Sequence, residues 1–133
     1  MAKTKIIYAC SGASDVGKIA DEVARTLGKE GYGHMSCLAA IGADSGEYVD
    51  AARAADVVIA IDGCPIACAR KNIEHIGVAP VAFVLTKMGL VKGMTPPTEK
   101  VIAETAQKIK ETAGENPPPS CGTGCGSCGG CKT

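Results

Sequence analysis

Apolar and polar positions follow two alternating periods along this chain. Residues 3 to 9 are largely β-branched or apolar and run into Cys10, and Ser11-Gly12-Ala13-Ser14 then supplies turn formers and a helix N-cap, which predicts strand, turn and helix. From Val16 the apolar positions Ile19, Ala20, Val23, Ala24 and Leu27 recur at helical spacing, and Gly31 can close the helix. A short strand is expected at 32 to 37, ending near Cys37, followed by a loop and a helix from Ser45 to Ala54 whose alanines favour helix more than its pattern does. Asp56 to Asp62 encloses Val57-Val58-Ile59-Ala60-Ile61, a continuous apolar run typical of a central parallel strand buried on both faces. Cys64 follows, with Pro65 expected at the first helical position and Gly77 at the helix stop. Val81 to Leu85 reads as a fourth strand. A last helix from Thr98, behind Pro96-Pro97, would bury Ile102, Ala106, Ile109 and Ala113.

Four alternations of strand and helix predict an α/β fold: a small doubly wound, Rossmann-like sheet of four parallel strands with helices on both faces and right-handed crossovers. This domain is expected over residues 1–113. Residues 114–120, Gly-Glu-Asn-Pro-Pro-Pro-Ser, read as a semi-rigid linker, and 121–133 as a Cys/Gly-rich C-terminal tail without apolar residues for a core. The total of 133 residues fits one domain with one core.

Composition narrows the function. Fourteen basic residues balance fourteen acidic ones, aromatic residues are one Phe and three Tyr with no Trp, and no basic run is long enough to track a phosphate backbone, so nucleic acid is not expected as a partner. No apolar stretch approaches the roughly 18 residues of a membrane helix, and the start runs directly into a strand pattern rather than a secretion signal, so no membrane association and a cytoplasmic location are expected. In a reducing cytoplasm, eight cysteines point to metal or redox work ahead of disulfide staples.

Three of the four expected strands run into a cysteine: Cys10, Cys37 and Cys64. Ligands of parallel α/β sheets bind beyond the carboxyl ends of the strands. Cys68 is expected one helical turn after Cys64, on the same face of the third helix, and off the apolar stripe Ile66, Ala69, Ile73 and Ile76. Four thiols then converge, as in a closed tetrahedral zinc site. Helix N-termini after Cys10 and Cys64 would favour their thiolates. The competing reading of any one of them, Cys37 above all, is a small buried core residue.

The segments Cys10-Ser11-Gly12, Met35-Ser36-Cys37-Leu38-Ala39-Ala40-Ile41-Gly42 and Ile61-Asp62-Gly63-Cys64-Pro65-Ile66-Ala67-Cys68 together resemble the DGC-domain family, described as zinc-binding and named for its Asp-Gly-Cys motif. The resemblance covers residues 3 to about 112. It implies zinc ligation by four cysteines, which map onto Cys10, Cys37, Cys64 and Cys68; the tail is outside the matched pattern.

Other readings compete for the first loop. Gly12 to Lys18, GASDVGK, stands between strand and helix like a phosphate-binding loop, but Ile19 occupies the position of the Ser or Thr that reaches magnesium. Cys10 followed by Ser-Gly-Ala-Ser could act as a nucleophile on phosphate or in thiol chemistry. That opening is similar to sugar-transport IIB phosphocarriers and, in layout, to low-molecular-weight tyrosine phosphatases and arsenate reductases, although no Arg stands in the loop. His34 and His75 are read as structural, and Asp62 as a cap of the following turn.

Cys121, Cys125, Cys128 and Cys131 form CxxxCxxCxxC among glycines, which suits a second metal centre, an iron-sulfur cluster slightly ahead of zinc. The linker would let this tail fold back on the domain or deliver metal or electrons to a protein partner.

Overall fold

The computed structural model describes residues 4–114 of the chain. The sheet holds β1 (Lys5–Ala9), β2 (His34–Met35), β3 (Val57–Asp62) and β4 (Val81–Val84) in the order β2-β1-β3-β4, and every pairing is parallel. The helices are α1 (Asp15–Lys29), α2 (Leu38–Gly42), α3 (Gly46–Ala54), α4 (Cys68–His75) and α5 (Glu99–Ala113). Alternate residues of β1 serve opposite faces: Ile7 and Ala9 pack with Ile19, Val23, Leu27 and Ile109 of α1 and α5, while Ile6 and Tyr8 pack with Ile41, Val49 and Ile73 of α2, α3 and α4. The expected doubly wound architecture is therefore the observed one.

The strand order reverses between β1 and β3. The chain leaves β1 for β2 on one side and later crosses to β3 and β4 on the other, so the crevice where such folds bind ligands opens at the carboxyl ends of β1 and β3. Those ends are Ala9 and Asp62, immediately before Cys10 and the Gly63-Cys64 pair.

Caps fix both long helices. Ser14 accepts the Gly17 amide at the start of α1, and Thr98 accepts that of Val101 at the start of α5, as their sequence contexts predict. These helices run side by side in one direction. The Asp15 carboxylate takes the amides of Gly93 and Thr95 near their starts, and Lys110 pairs with Glu30 while the Tyr32 hydroxyl donates to the Gly114 carbonyl near their ends.

Four expectations need correction. β2 has two residues rather than six, because the chain, after a last Ser36 amide bond to the Ile7 carbonyl of β1, turns at Cys37 into α2, a helix where a loop was expected. Leu85 belongs to a 3-10 turn, Leu85–Met88, and not to β4. α4 begins at Cys68 rather than at Pro65, since Ala67 adopts a left-handed conformation with φ 55° that interrupts helical geometry. Ile66 accordingly leaves the apolar stripe and is 57% exposed.

Candidate metal and thiol centre

The Asp-Gly-Cys segment explains how the edge is built. Asp62 is buried, and its two carboxylate oxygens accept the amides of Ala69 at 2.7 Å and Arg70 at 3.0 Å. The carboxylate therefore caps α4 from the end of β3, across the Cys64–Ala67 turn, which is closed by an Ala67 amide to Cys64 carbonyl bond of 3.1 Å. Burial pushes the Asp62 carboxyl above its usual range, and the two amide bonds offset this only in part. The expected capping role of Asp62 holds, but it serves a helix that starts later than expected.

Gly63 is the crossing point. A Cβ there would stand 2.6 Å from the carbonyl carbon of Val16, and a Cβ on Gly17 would stand 2.6 Å from the Gly12 carbonyl oxygen. Both glycines are needed for backbone to meet backbone. That approach brings the Gly63 amide to 3.4 Å from the Cys10 sulfur, to which it donates, while the Gly63 carbonyl accepts the Thr86 amide at 3.3 Å. The Cys10 amide in turn donates to Ile61 at 3.1 Å. The ends of β1, β3 and β4 are thereby knitted around Cys10 and Cys64.

Two neighbouring cavities open along this edge. The larger, about 760 Å³, is lined by Cys10, Cys37 and Cys68 together with Ser11, Arg25 and His34. The smaller, about 260 Å³, is lined by Cys10, Cys64 and Cys68 together with Asp62, Ile66 and Lys92. Cys10 and Cys68 face both. All four cysteines are free thiols, Cys37 and Cys68 exposed and Cys10 and Cys64 half-buried, so core packing explains neither Cys37 nor Cys68. Cys64 precedes α4 by a full turn of irregular chain and does not share a helix face with Cys68, contrary to expectation; the cavity brings them together instead. Among the described residues, no group of three or more His, Cys, Asp or Glu side chains stands close enough to hold a metal ion. The donor set itself, four sulfurs at one edge, suits a thiophilic divalent ion in kind.

Charge at the edge is positive beside sulfur. Lys92 Nζ lies 3.8 Å from Cys64 Sγ, carried there by the loop that Asp15 holds; the amides of Gly93 and Thr95 keep the Asp15 carboxyl below its usual range. On the other cavity wall the Ser11 hydroxyl and Arg25 Nε both donate to Asp21 at 2.7 Å. Burial opposes the Asp21 charge, but the bonds from Arg25 and Ser11 outweigh it and hold that carboxyl low.

Sequence reasoning missed Lys92, Arg25 and His34. Lys92 and Arg25 lie far from any cysteine in the chain, and no local signal marks them. His34 was read as structural; with β2 only two residues long it lines the larger cavity. His75 is exposed near the end of α4. Ile19 is fully buried, so the place of a magnesium-binding hydroxyl is core and the phosphate-loop reading fails. Ser11 at φ 51° and Ala67 at φ 55° are two non-glycine residues in the left-handed region. Each adjoins a site cysteine and costs roughly 1 kcal/mol. Cys121, Cys125, Cys128 and Cys131 lie outside the described residues.

Fold and edge together define a doubly wound α/β protein with four free thiols lining two neighbouring cavities at the carboxyl edge of its sheet. The DGC domain family matches residues 6–111, and the chain belongs to that family. It is also similar to the anaerobic and virulence modulator AnvM of Pseudomonas aeruginosa, 35% identical over 88 residues that make up 65% of this chain and 67% of AnvM. No solved structure matches it. No helix among the described residues is long and apolar enough to cross a membrane.

Proposed function

We propose that this protein is a cytoplasmic metal- or redox-handling protein that binds zinc through Cys10, Cys37, Cys64 and Cys68. The observation that carries the reading is the sharing of Cys10 and Cys68 between two adjoining cavities, with Cys37 opening on one and Cys64 on the other. The four thiols, supplied by three segments of the chain, thus line two adjoining cavities at the carboxyl edge. The Lys92 ammonium and the Gly63 amide offer compensation for thiolate charge. The tail cysteines Cys121, Cys125, Cys128 and Cys131 form a second centre in this reading, an iron-sulfur cluster or zinc, serving metal or electron transfer to a protein partner. The name of the Pseudomonas relative, an anaerobic and virulence modulator, fits thiol centres whose state follows oxygen supply.

The test is anaerobic purification with elemental analysis and a visible spectrum. Zinc is expected in the full chain and less of it in full-length Cys68→Ser. Unchanged zinc in that variant would sink the four-ligand site.

A second reading, Cys10 as a nucleophile in phosphoryl or thiol chemistry, is favoured by Arg25. It lines the larger cavity with Cys10 and Ser11 and supplies from α1 the cation that the loop lacks. A phosphatase or thiol activity retained in Cys68→Ser and lost in Cys10→Ser would select it over the metal reading.

A further inference from the structure

The larger cavity divides its lining between thiols and an ion pair. Its volume of about 760 Å³ falls within the ordinary range of small-molecule sites, about 300–1,000 Å³. Cys10, Cys37 and Cys68 open on it, as do Asp21 and Arg25 from successive turns of α1. Arg25 Nε donates to one Asp21 oxygen and the Ser11 hydroxyl to the other, each at 2.7 Å. Ser11 follows Cys10 directly, so the charged wall is fastened to the thiol edge. Met35 and Leu38 add apolar surface to the same cavity.

This lining selects a class of ligand. A carboxylate and a guanidinium side by side match a group that carries both charges itself, the ammonium and carboxylate of an α-amino acid, one meeting Asp21 and the other Arg25. A simple anion would meet the Asp21 charge as well as Arg25, and a simple cation the reverse. Free thiols in the same space add sulfur chemistry, and the partner that a thiol exchanges with, needing neither metal nor further oxidant, is a disulfide. Cys37 is the thiol best placed to react. It is exposed and opens on this cavity alone, whereas Cys10 is half-buried with the Gly63 amide on its sulfur and Cys68 also faces the smaller cavity.

We propose that the larger cavity binds a small zwitterionic disulfide, the oxidised form of an aminothiol that bears an α-amino acid group, and that Cys37 is thiolated there. The Cys37 thiol gives its proton to solvent, and its sulfur attacks one sulfur of the disulfide. The new S–S bond forms as the old one breaks, and the other half leaves as a thiolate that takes a proton from water. One thiol is consumed and one released, with no other reactant. The inference goes beyond the zinc reading and does not rest on it, because the cavity and its ion pair need no metal; zinc on Cys37 would block the thiol.

The experiment incubates the full-length protein, before and after treatment with a zinc chelator, with cystine or with the uncharged bis(2-hydroxyethyl) disulfide, and locates adducts by peptide mass spectrometry. Full-length Arg25→Gln is the comparison; the Arg25 side chain is 58% exposed, so its replacement leaves the fold intact. Cystine is expected to modify Cys37, and about tenfold more slowly in Arg25→Gln, the worth of one charge-assisted bond. The uncharged disulfide is expected to react at one rate with both proteins. Equal cystine rates in the two proteins overturn the inference, as does a slowing shared by both disulfides. Adducts on Cys10 or Cys68 in place of Cys37, or none before or after chelation, overturn it too. Modification of Cys37 only after chelation upholds it together with zinc on that thiol. Modification of a protein that holds no zinc upholds it while the zinc reading fails.

Discussion

A methyl group on Gly63 would stand 2.6 Å from the carbonyl carbon of Val16, so the Asp-Gly-Cys segment and the first turn of α1 are packed backbone to backbone. The contact places the Gly63 amide on the Cys10 sulfur. It makes the glycine of this segment a condition for the thiol edge rather than a neutral spacer.

Gly63→Ala is therefore expected to destabilise the protein by about 1–3 kcal/mol, since backbone has no rotamer with which to yield. Urea unfolding followed by circular dichroism measures this. A midpoint equal to the native one would show that β3 and α1 can separate without cost.

Asp62→Ala should also destabilise, by about 1–3 kcal/mol, by stranding the Ala69 and Arg70 amides at the start of α4. The native protein adds a pH signature. Because burial raises the Asp62 carboxyl, its contribution is fully present below the ordinary aspartate value of 3.8 and is lost as pH rises through the folded value. Asp62→Asn removes this fall. Stability curves of the two proteins that run parallel from pH 3.8 upward would contradict it.

Asp15 carries the opposite sign. Its lowered carboxyl stabilises the 91–95 turn above 3.8, and that contribution is lost as pH falls through its folded value. Hydrogen exchange at Gly93 and Thr95 should accelerate on acidification, and be fast at neutral pH in Asp15→Ala. Slow exchange at both amides in that variant would show that the turn holds itself.

Ile66→Ser and Ile73→Ala separate two positions of the expected stripe. Ile66 is 57% exposed, and its replacement should change stability by no more than about 0.5 kcal/mol. Ile73 is fully buried, and its truncation should cost about 2–5 kcal/mol. Comparable losses at both positions would restore a helix running from Pro65.

The sequence by itself determined the elements whose signals are local. Continuous apolar residues mark β3, helical spacing from Val16 to Leu27 marks α1, and Ser14 and Thr98 mark helix starts, because each depends on neighbours within a turn or two. Strand-end cysteines were legible for the same reason. Only the tertiary structure decided what lies across the sheet. The start of α4 beyond the left-handed Ala67 is capped by the Asp62 carboxylate, which accepts the Ala69 and Arg70 amides, and Gly63 matters because Val16 meets it from another element. Lys92 reaches Cys64 over 28 positions of sequence because Asp15 anchors its turn. Such pairings are set by the order β2-β1-β3-β4, and no local pattern of apolar and polar residues encodes a distance between segments that meet only when the sheet is formed.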